Sequence, residues 1–229
     1  MLGADEAGKG PVLGPMVAAA VRADPGAIPD AVDDSKRLSS GRREELDAAL
    51  RGDDRVAVGV AVVSVERIDD PATDMNALTV AGQAEALARV AADGDRAVVD
   101  AGDVDEDRFA RRVADAVADG GRDGDAGNEG GVAVDVTAEH GADESYPVVA
   151  AASVIAKVER DRIVAELDAT YRDRGYDGVG SGYPSDPTTR AFLREYVDRE
   201  GDVPGCARRS WSTCDDVLAA AEQSALGEF

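Results

Sequence analysis

Short apolar segments rich in β-branched residues alternate with longer segments of helical periodicity along this chain. The three early segments 2–4, 12–21 and 56–65 predict strands, and a glycine turn separates the first two. Two later segments, 97–99 and 132–136, predict buried strands that lie between helices. The predicted helices span residues 42–50, 75–91, 106–118, 147–172, 188–199 and 215–223. This order of elements predicts an α/β fold, with a mixed sheet flanked by helices and a helical C-terminal portion.

The length and composition limit the class of protein. The chain has 229 residues and is 44% hydrophobic, which suits one large domain with a real core. We expect no membrane association, because no apolar run is long enough to span a bilayer and the N-terminus lacks a signal-peptide pattern. Cys206 and Cys214 have neither the spacing of a zinc site nor the number of a disulfide framework, so a cytoplasmic location is expected.

The chain is strongly acidic, with 47 Asp and Glu residues against 25 Lys and Arg residues and a formal net charge of −22. The acids are scattered along the whole chain, which favours an adaptation of the surface to high intracellular salt over a binding site for basic partners. At ~1 M salt the Debye length is about 3 Å, so distant carboxylates hardly repel a phosphate. The net charge therefore excludes nucleic-acid binding only at ordinary ionic strength.

Four carboxylates lie at the ends of predicted strands or shortly before a predicted helix. Asp5 and Glu6 end the first strand, Asp100 ends the strand 97–99, and Asp143 comes shortly before a long helix. Strand ends converge on one crevice in α/β sheets, and two charges ~4 Å apart repel by about 4 kcal/mol at a dielectric near 20. Either some of these acids are protonated or divalent cations neutralise them. Oxygen donors without His or Cys favour Mg²⁺ or Mn²⁺, although a chain this rich in Asp also produces such groupings by chance.

Longer motifs occur along the chain in a fixed order. They are residues 5–17 (DEAGKGPVLGPMV), 34–38 (DSKRL), 100–104 (DAGDV), 142–143 with 146–158 (YPVVAAASVIAKV), and 180–187 (GSGYPSDP). Together they resemble the motifs of type 2 ribonucleases H, the last of them in its archaeal form. The resemblance covers residues 1–213, which we interpret as a catalytic domain including the C-terminal helical portion. Residues 214–229 are expected to form a C-terminal helix and a tail.

The resemblance implies a ribonuclease H-like fold, with a five-stranded mixed sheet and helices on both faces. It also implies an endonuclease that hydrolyses the RNA strand of RNA–DNA hybrids and incises 5′ to single ribonucleotides in duplex DNA, leaving a 5′-phosphate and a 3′-hydroxyl. Asp5, Glu6, Asp100 and Asp143 would be the catalytic ligands of two divalent ions, Mg²⁺ or Mn²⁺. By family analogy Asp5 bridges both ions, Asp143 holds the ion that activates water, and Glu6 and Asp100 hold the ion near the leaving 3′-oxygen.

The resemblance further assigns a substrate-binding role to the Gly8-Lys9-Gly10 turn and to Tyr183. The glycines expose backbone N–H groups that can contact the 2′-hydroxyl, and Tyr183 would stack on the sugar at the RNA–DNA junction. Without the family, a packed turn aromatic is the simpler interpretation of Tyr183. Lys9 departs from the family, in which arginine is usual here, and lysine cannot make the bidentate contacts of arginine.

Three further residues are candidate substrate contacts. The scarcity of lysine favours a functional role for Lys36 and Lys157, because the chain has only one other lysine. Each is expected to contact a phosphate or the catalytic carboxylates. A surface salt bridge is the alternative for both lysines. Ser153 would bind a phosphate or hydrogen-bond to its own helix.

The last seven residues, QSALGEF, resemble a clamp-binding peptide with Gln223, Leu226 and Phe229 at the expected spacing. A short helical turn would place the two apolar residues in one pocket of a sliding clamp, although a frayed helix end has the same pattern.

Two alternatives to a monomeric type 2 enzyme remain. Lys9 is typical of type 3 ribonucleases H, which act mainly on longer hybrids, and a non-catalytic, clamp-associated nucleic-acid-binding module is the other.

Overall fold

The computed structural model describes residues 1–32, 38–120 and 131–226, without the side chains of residues 224–226. Five strands form one sheet: β1 (Leu2–Ala7), β2 (Met16–Ala23), β3 (Val56–Val63), β4 (Arg96–Asp100) and β5 (Asp135–Glu139). Their order across the sheet is β3-β2-β1-β4-β5. β1 is antiparallel to β2 and parallel to β4, which is parallel to β5. The predicted five-stranded mixed sheet is confirmed.

Two predicted strands are displaced from the observed ones, and the strand expected at 56–65 ends at Val63. The strand expected at 12–21 begins only at Met16, because Gly14 adopts a positive φ of 78° and Pro15 follows it. Val12 and Leu13 instead donate their backbone N–H groups to the carbonyl of Gly182, at 2.8 and 3.1 Å. The strand expected at 132–136 lies at Asp135–Glu139, where the chain pairs with β4.

Seven α-helices accompany the sheet in the described part of the chain. They are α1 (Ser40–Gly52), α2 (Val65–Ile68), α3 (Met75–Ala88), α4 (Glu106–Ala118), α5 (Pro147–Asp173), α6 (Pro187–Glu200) and α7 (Ser212–Leu226). Six correspond to predicted helices. The short helix α2 was missed because Val65 continues the apolar run of β3, although Ser64 caps the helix by accepting a hydrogen bond from the N–H of Arg67.

The chain divides into two compact units, which are described separately. The first unit contains Met1–Ala7, Val17–Val63 and Asp74–Glu159, and therefore the sheet. On one face of β1, Leu2 and Ala4 pack into a core shared with α3 and α4. On the other face lies the first part of α5, which approaches so closely that a Cβ on Gly3 would be 2.6 Å from the backbone of Val148 and Val149. Helices thus cover both faces of the sheet.

The second unit contains Gly8–Met16, Ser64–Thr73 and the chain from Arg160 onward. Its core includes four aromatic rings, of Tyr171, Tyr176, Phe192 and Tyr196, with centroids 4.8–6.0 Å apart. This is the helical C-terminal portion, and the expected boundary between residues 213 and 214 stays a prediction. No helix among the described residues is long and apolar enough to cross a membrane.

Candidate active site

Acidic side chains end three neighbouring strands of the first unit. Ala4 of β1 pairs with Val99 of β4, so the next residues, Asp5 and Asp100, follow each other across the sheet. Asp100 in turn pairs with Glu139 of β5. Because side chains alternate between faces along a strand and paired residues of parallel strands share a face, these three carboxylates belong to the face that α5 covers. The predicted convergence of Asp5 and Asp100 is therefore present.

Asp143 reaches the same end of the sheet through the turn after β5. Gly141, with a positive φ of 67°, leads into a 3-10 turn formed by Ala142–Glu144. The backbone N–H of Ala142 donates to Asp100 Oδ1 at 2.9 Å, which ties this turn to the end of β4. Asp143 is the next residue and is buried.

Asp5 is an acid of this group with a strongly raised pKa. Burial and the nearby carboxylates of Glu6 and Asp100 together raise its pKa to about 8, against opposing hydrogen bonds from Ser153 and from the Glu6 N–H, the latter 2.7 Å long. A buried carboxyl close to two other acids resists ionisation unless positive charge neutralises the group. The electrostatics thus favour cation binding at Asp5.

Ser153 and Lys157 lie on α5 and connect to Asp5. Ser153 is fully buried and hydrogen-bonds to the Asp5 carboxyl, and the Nζ of Lys157 donates to Ser153 Oγ at 2.6 Å. The two residues are one helical turn apart, which places both side chains on the same face of α5. The pair therefore supports the carboxylate cluster.

Gln83 contacts two of the four acids and was missed in the sequence. It lies on α3, is fully buried, and its Nε2 donates to Glu6 Oε2 at 2.6 Å and to the backbone oxygen of Asp100 at 3.0 Å. A glutamine on the mainly apolar buried face of α3, which it shares with Thr79, was the available signal, because buried polar side chains need partners.

Glu139 was also missed. Its Oε1 accepts a hydrogen bond of 2.5 Å from the hydroxyl of Tyr146, and this contact raises the pKa of the tyrosine. Tyr146 immediately precedes α5, so the bond links the end of β5 to the start of that helix. The only signal in the sequence was the position of Glu139 three residues before Ala142-Asp143.

The four predicted ligands suit a hard cation by their chemistry. Asp5, Glu6, Asp100 and Asp143 offer only oxygen donors, which Mg²⁺ and Mn²⁺ prefer. A divalent cation would also relieve the charge crowding that raises the pKa of Asp5. Within the described ranges, no three acidic, His or Cys side chains are grouped closely enough to hold a metal ion as they stand.

The Gly8-Lys9-Gly10 turn lies in the second unit, and the side chain of Arg208 hydrogen-bonds to its backbone. This guanidinium is fully buried and donates to three backbone carbonyls, those of Gly14 at 2.9 Å, Lys9 at 2.8 Å and Gly8 at 2.6 Å. Burial and the nearby positive charge of Arg160 together lower the pKa of Arg208 to about 10. Because the carbonyls accept from Arg208, the shape of the turn is fixed by a residue that the sequence motifs did not identify.

Tyr183 is 42% exposed, which agrees better with a contact surface than with a packed turn aromatic. Beneath it lies Arg160, whose Cζ is 5.3 Å from the centroid of the Tyr183 ring. Arg160 is 5% exposed, and its Nε has no hydrogen-bond partner among the described residues. Gly8 must lack a side chain here, since a Cβ would lie 2.6 Å from Arg160 Cδ and Nε.

The loop of Tyr183 is ordered by Asp186. This carboxylate accepts hydrogen bonds from the N–H and the hydroxyl of Ser181, at 2.6 and 2.7 Å, and from the N–H of Thr188 at 2.9 Å. These bonds lower the pKa of Asp186 to about 2. Asp186 is also the N-cap of α6, so one side chain fixes both the loop and the helix that follows.

The remaining predicted residues are only partly described. Lys36 lies outside the described residues, as does Phe229. Gln223 is exposed on α7, and Leu226 is the last residue of that helix. The structure therefore leaves the predicted clamp peptide as a prediction.

Comparison with known proteins gives one consistent result. A family model described as Ribonuclease HII matches residues 2–214. The ribonuclease HII of the halophilic archaeon Haloarcula marismortui is 63% identical over 227 residues, 99% of both chains. The ribonuclease H2 of Pyrococcus horikoshii is 36% identical with a TM-score of 0.79, covering 97% of this chain and 100% of that one. The enzyme in the PCNA:RNase HII complex from Archaeoglobus fulgidus is 38% identical with a TM-score of 0.77, over 94% and 95% of the chains.

Proposed function

The chain belongs to the ribonuclease HII family and is a ribonuclease H, and we propose that it incises duplex DNA 5′ to a single embedded ribonucleotide. The same site would cut the RNA strand of RNA–DNA hybrids, leaving a 5′-phosphate and a 3′-hydroxyl. The observation that carries the proposal is the buried Asp5, whose pKa is raised by burial and by two neighbouring acids at the ends of β1 and β4.

Asp5, Glu6, Asp100 and Asp143 would hold two divalent cations, Mg²⁺ or Mn²⁺. When bound, such ions supply positive charge to the reacting phosphodiester. The protein's own contribution is to hold the four carboxylates in place. Ser153 and the Glu6 N–H fix Asp5, Gln83 fixes Glu6, and the Ala142 N–H fixes Asp100.

Substrate recognition is assigned to the glycine turn, to Tyr183 and to three further side chains. The backbone N–H groups of Gly8, Lys9 and Gly10 would contact the 2′-hydroxyl, which distinguishes RNA from DNA. The exposed ring of Tyr183 would stack on the sugar at the junction. Lys36 and Lys157 would contact phosphates or the catalytic carboxylates, and Ser153 would join them if substrate releases it from Asp5.

The first experiment compares Asp100→Asn with the wild type on a continuous RNA–DNA hybrid in the presence of Mn²⁺. We expect the variant to fold normally and to lose about a thousandfold in turnover, roughly 4 kcal/mol of transition-state stabilisation. Asp107→Asn is the control, because Asp107 is exposed and lies in the first turn of α4. Near-native turnover of Asp100→Asn would remove Asp100 from the site.

Lys9 favours one alternative, a preference for longer hybrids as in type 3 enzymes. The backbone of the turn is held by Arg208 whatever side chain residue 9 carries, and the family match is to ribonuclease HII. Incision at an isolated ribonucleotide discriminates the two specificities. Lys9→Arg should then sharpen cleavage at the junction, because arginine can contact a phosphate in bidentate fashion.

The C-terminal tail is proposed to bind a sliding clamp. The Archaeoglobus fulgidus relative was solved in complex with PCNA, the exposed Gln223 lies near the end of α7, and Leu226 and Phe229 complete the peptide pattern. We also propose that the enzyme acts as a monomer and is cytoplasmic, in keeping with the free thiols of Cys206 and Cys214.

Removing residues 223–229 tests the tail. We expect binding to an archaeal PCNA, measured by surface plasmon resonance, to weaken at least about tenfold, while clamp-free cleavage of a hybrid stays unchanged. Glu222→Ala, which alters an adjacent exposed residue outside the pattern, should bind the clamp normally. Unchanged clamp binding by the truncated chain would refute this part of the proposal.

A further inference from the structure

Gln83 is a buried side chain whose contacts join two of the proposed metal ligands from different strands of the first unit. Its Nε2 donates to the carboxylate of Glu6 on β1 and to the backbone oxygen of Asp100 on β4. The residue is fully buried on α3. A single amide group thus spans the ends of two strands.

The orientation of this amide is fixed by its partners. Both partners are hydrogen-bond acceptors, so the amide nitrogen must face them, and a flipped amide would set oxygen against oxygen. The other atom of the amide, Oε1, is buried and accepts no hydrogen bond from the described residues. A buried polar atom without a partner destabilises the fold. Stability alone therefore does not explain a glutamine at this position.

We propose that Gln83 is a positioning residue, which holds Glu6 and the end of β4 in the arrangement that binds divalent cations. The inference rests on the proposed function of the four carboxylates. Residues that hydrogen-bond to a metal ligand and orient it commonly have a strong effect on metal affinity, although they do not touch the ion. Gln83 would act through Glu6 and would not touch the ion or the substrate.

The neutrality of glutamine suits this role. A lysine or arginine would hold Glu6 more strongly, but its positive charge would compete with the divalent ions for the same carboxylate. A glutamate would repel Glu6 and add to the charge crowding already seen at Asp5. An amide donor orients the carboxylate and leaves the charge of the cluster unchanged.

The test replaces Gln83 by methionine, which has a similar length and no hydrogen-bond donor. Mn²⁺ binding to the full-length, substrate-free chain is measured by isothermal titration calorimetry. We expect Gln83→Met to raise the Kd for Mn²⁺ by about tenfold or more. The melting temperature without metal should stay unchanged or rise, since the buried Oε1 is removed. Leu87→Met, one turn later on the same buried helix face, is the control and should bind Mn²⁺ normally.

A double-mutant cycle separates positioning from a general packing effect. If Gln83 acts through Glu6, then Gln83→Met should change the Kd little in a Glu6→Gln background. An equal rise in both backgrounds would overturn the proposal, and so would a wild-type Kd for Gln83→Met. If the methionine variant does not fold, Gln83→Asn is measured instead. Its amide is one methylene too short to reach both acceptors, so the same rise is expected and a wild-type Kd would overturn the proposal.

These outcomes are distinct from a failure of the proposed function. A wild-type chain that neither binds Mn²⁺ nor cuts a hybrid would refute the metal-dependent function itself. A wild-type chain that does both, with an unaltered Kd in Gln83→Met, would refute only the role of Gln83.

Discussion

Gly3 shows how a single missing side chain positions the candidate catalytic groups. It lies two residues before Asp5 on the same face of β1, and a Cβ there would meet the backbone of Val148 and Val149 at 2.6 Å. The absence of that Cβ lets α5 lie directly on the strand. Ser153, farther along α5, then reaches the Asp5 carboxyl. A residue without a side chain thus sets the surroundings of Asp5.

We expect Gly3→Ala to lower the free energy of unfolding by about 1–3 kcal/mol, because the added methyl group overpacks the contact between strand and helix. Displacement of α5 should also weaken the contact between Ser153 and Asp5 and reduce cleavage. Urea unfolding and hybrid cleavage measure both effects. Gly52→Ala is the control, since a Cβ on Gly52 meets no atom within 4 Å. Equal stability of the two variants would contradict this account of Gly3.

Asp5 and Asp100 could be predicted from the sequence because strand ends carry their own signal, an apolar run that stops at an acid. Gln83 could not, since its role depends on α3 crossing the ends of two strands that are distant in the sequence. Ser153 was predicted as a substrate contact or a helix bond, whereas its hydroxyl binds Asp5. Contacts between elements remain hidden until the helices are placed on the sheet.

At the scale of elements, the turn from Gly8 to Gly14 depends on a distant part of the chain. Arg208 supplies three N–H donors to carbonyls of this turn, and its own backbone N–H donates to Val12 O at 2.8 Å. The sequence predicted a strand from residue 12, because Val12 and Leu13 are apolar and β-branched or large. Burial against Tyr171 and Phe192, and not sheet pairing, accounts for those two residues.

Arg208→Lys should loosen the turn without abolishing the charge. A lysine ammonium cannot reach three carbonyls that suit the planar guanidinium, so we expect a loss of about 1–3 kcal/mol in the free energy of unfolding. We also expect KM for a ribonucleotide-containing duplex to rise more than kcat falls, because we propose that the turn binds substrate. Arg209→Lys serves as the control, since Arg209 is exposed and pairs only with Asp202 through its side chain among the described contacts. An unchanged KM would show that the turn does not need this support.

The strand and helix types could be predicted more reliably than their limits. β5 was placed three residues early because Val132, Val134 and Val136 alternate as in a strand, whereas pairing with β4 starts at Asp135. The periodicity of hydrophobic residues indicates which residues are buried, but the register with the neighbouring strand decides where hydrogen bonding begins.

At the scale of the whole molecule, the most prominent property is the formal net charge of −22. The 63% identical relative comes from a halophilic archaeon, which agrees with the expected adaptation to salt. Most described ion pairs are exposed and join an arginine to a nearby acid, such as Arg42 with Glu45 and Arg162 with Glu166. Each such pair contributes little to the stability of the fold. The excess acidic side chains therefore repel one another unless salt screens their charges.

We therefore expect the melting temperature to rise steeply between 0.1 and 2 M KCl, at roughly the ionic strengths where the Debye length falls from about 10 Å to about 3 Å or less. Differential scanning calorimetry measures the change. Sucrose at matched osmolality is the control for exclusion of solute from the surface, and it should stabilise less. A melting temperature that does not change with KCl would contradict the interpretation of the acidic surface.

The central claim is tested most directly by mapping the products from a DNA duplex that carries one ribonucleotide, with Mg²⁺ or Mn²⁺ in high salt. The account predicts one incision on the 5′ side of the ribonucleotide, leaving a 3′-hydroxyl upstream and a 5′-phosphate on the ribonucleotide, and no product from Asp100→Asn. Cutting of a continuous hybrid without any incision at the single ribonucleotide would contradict it.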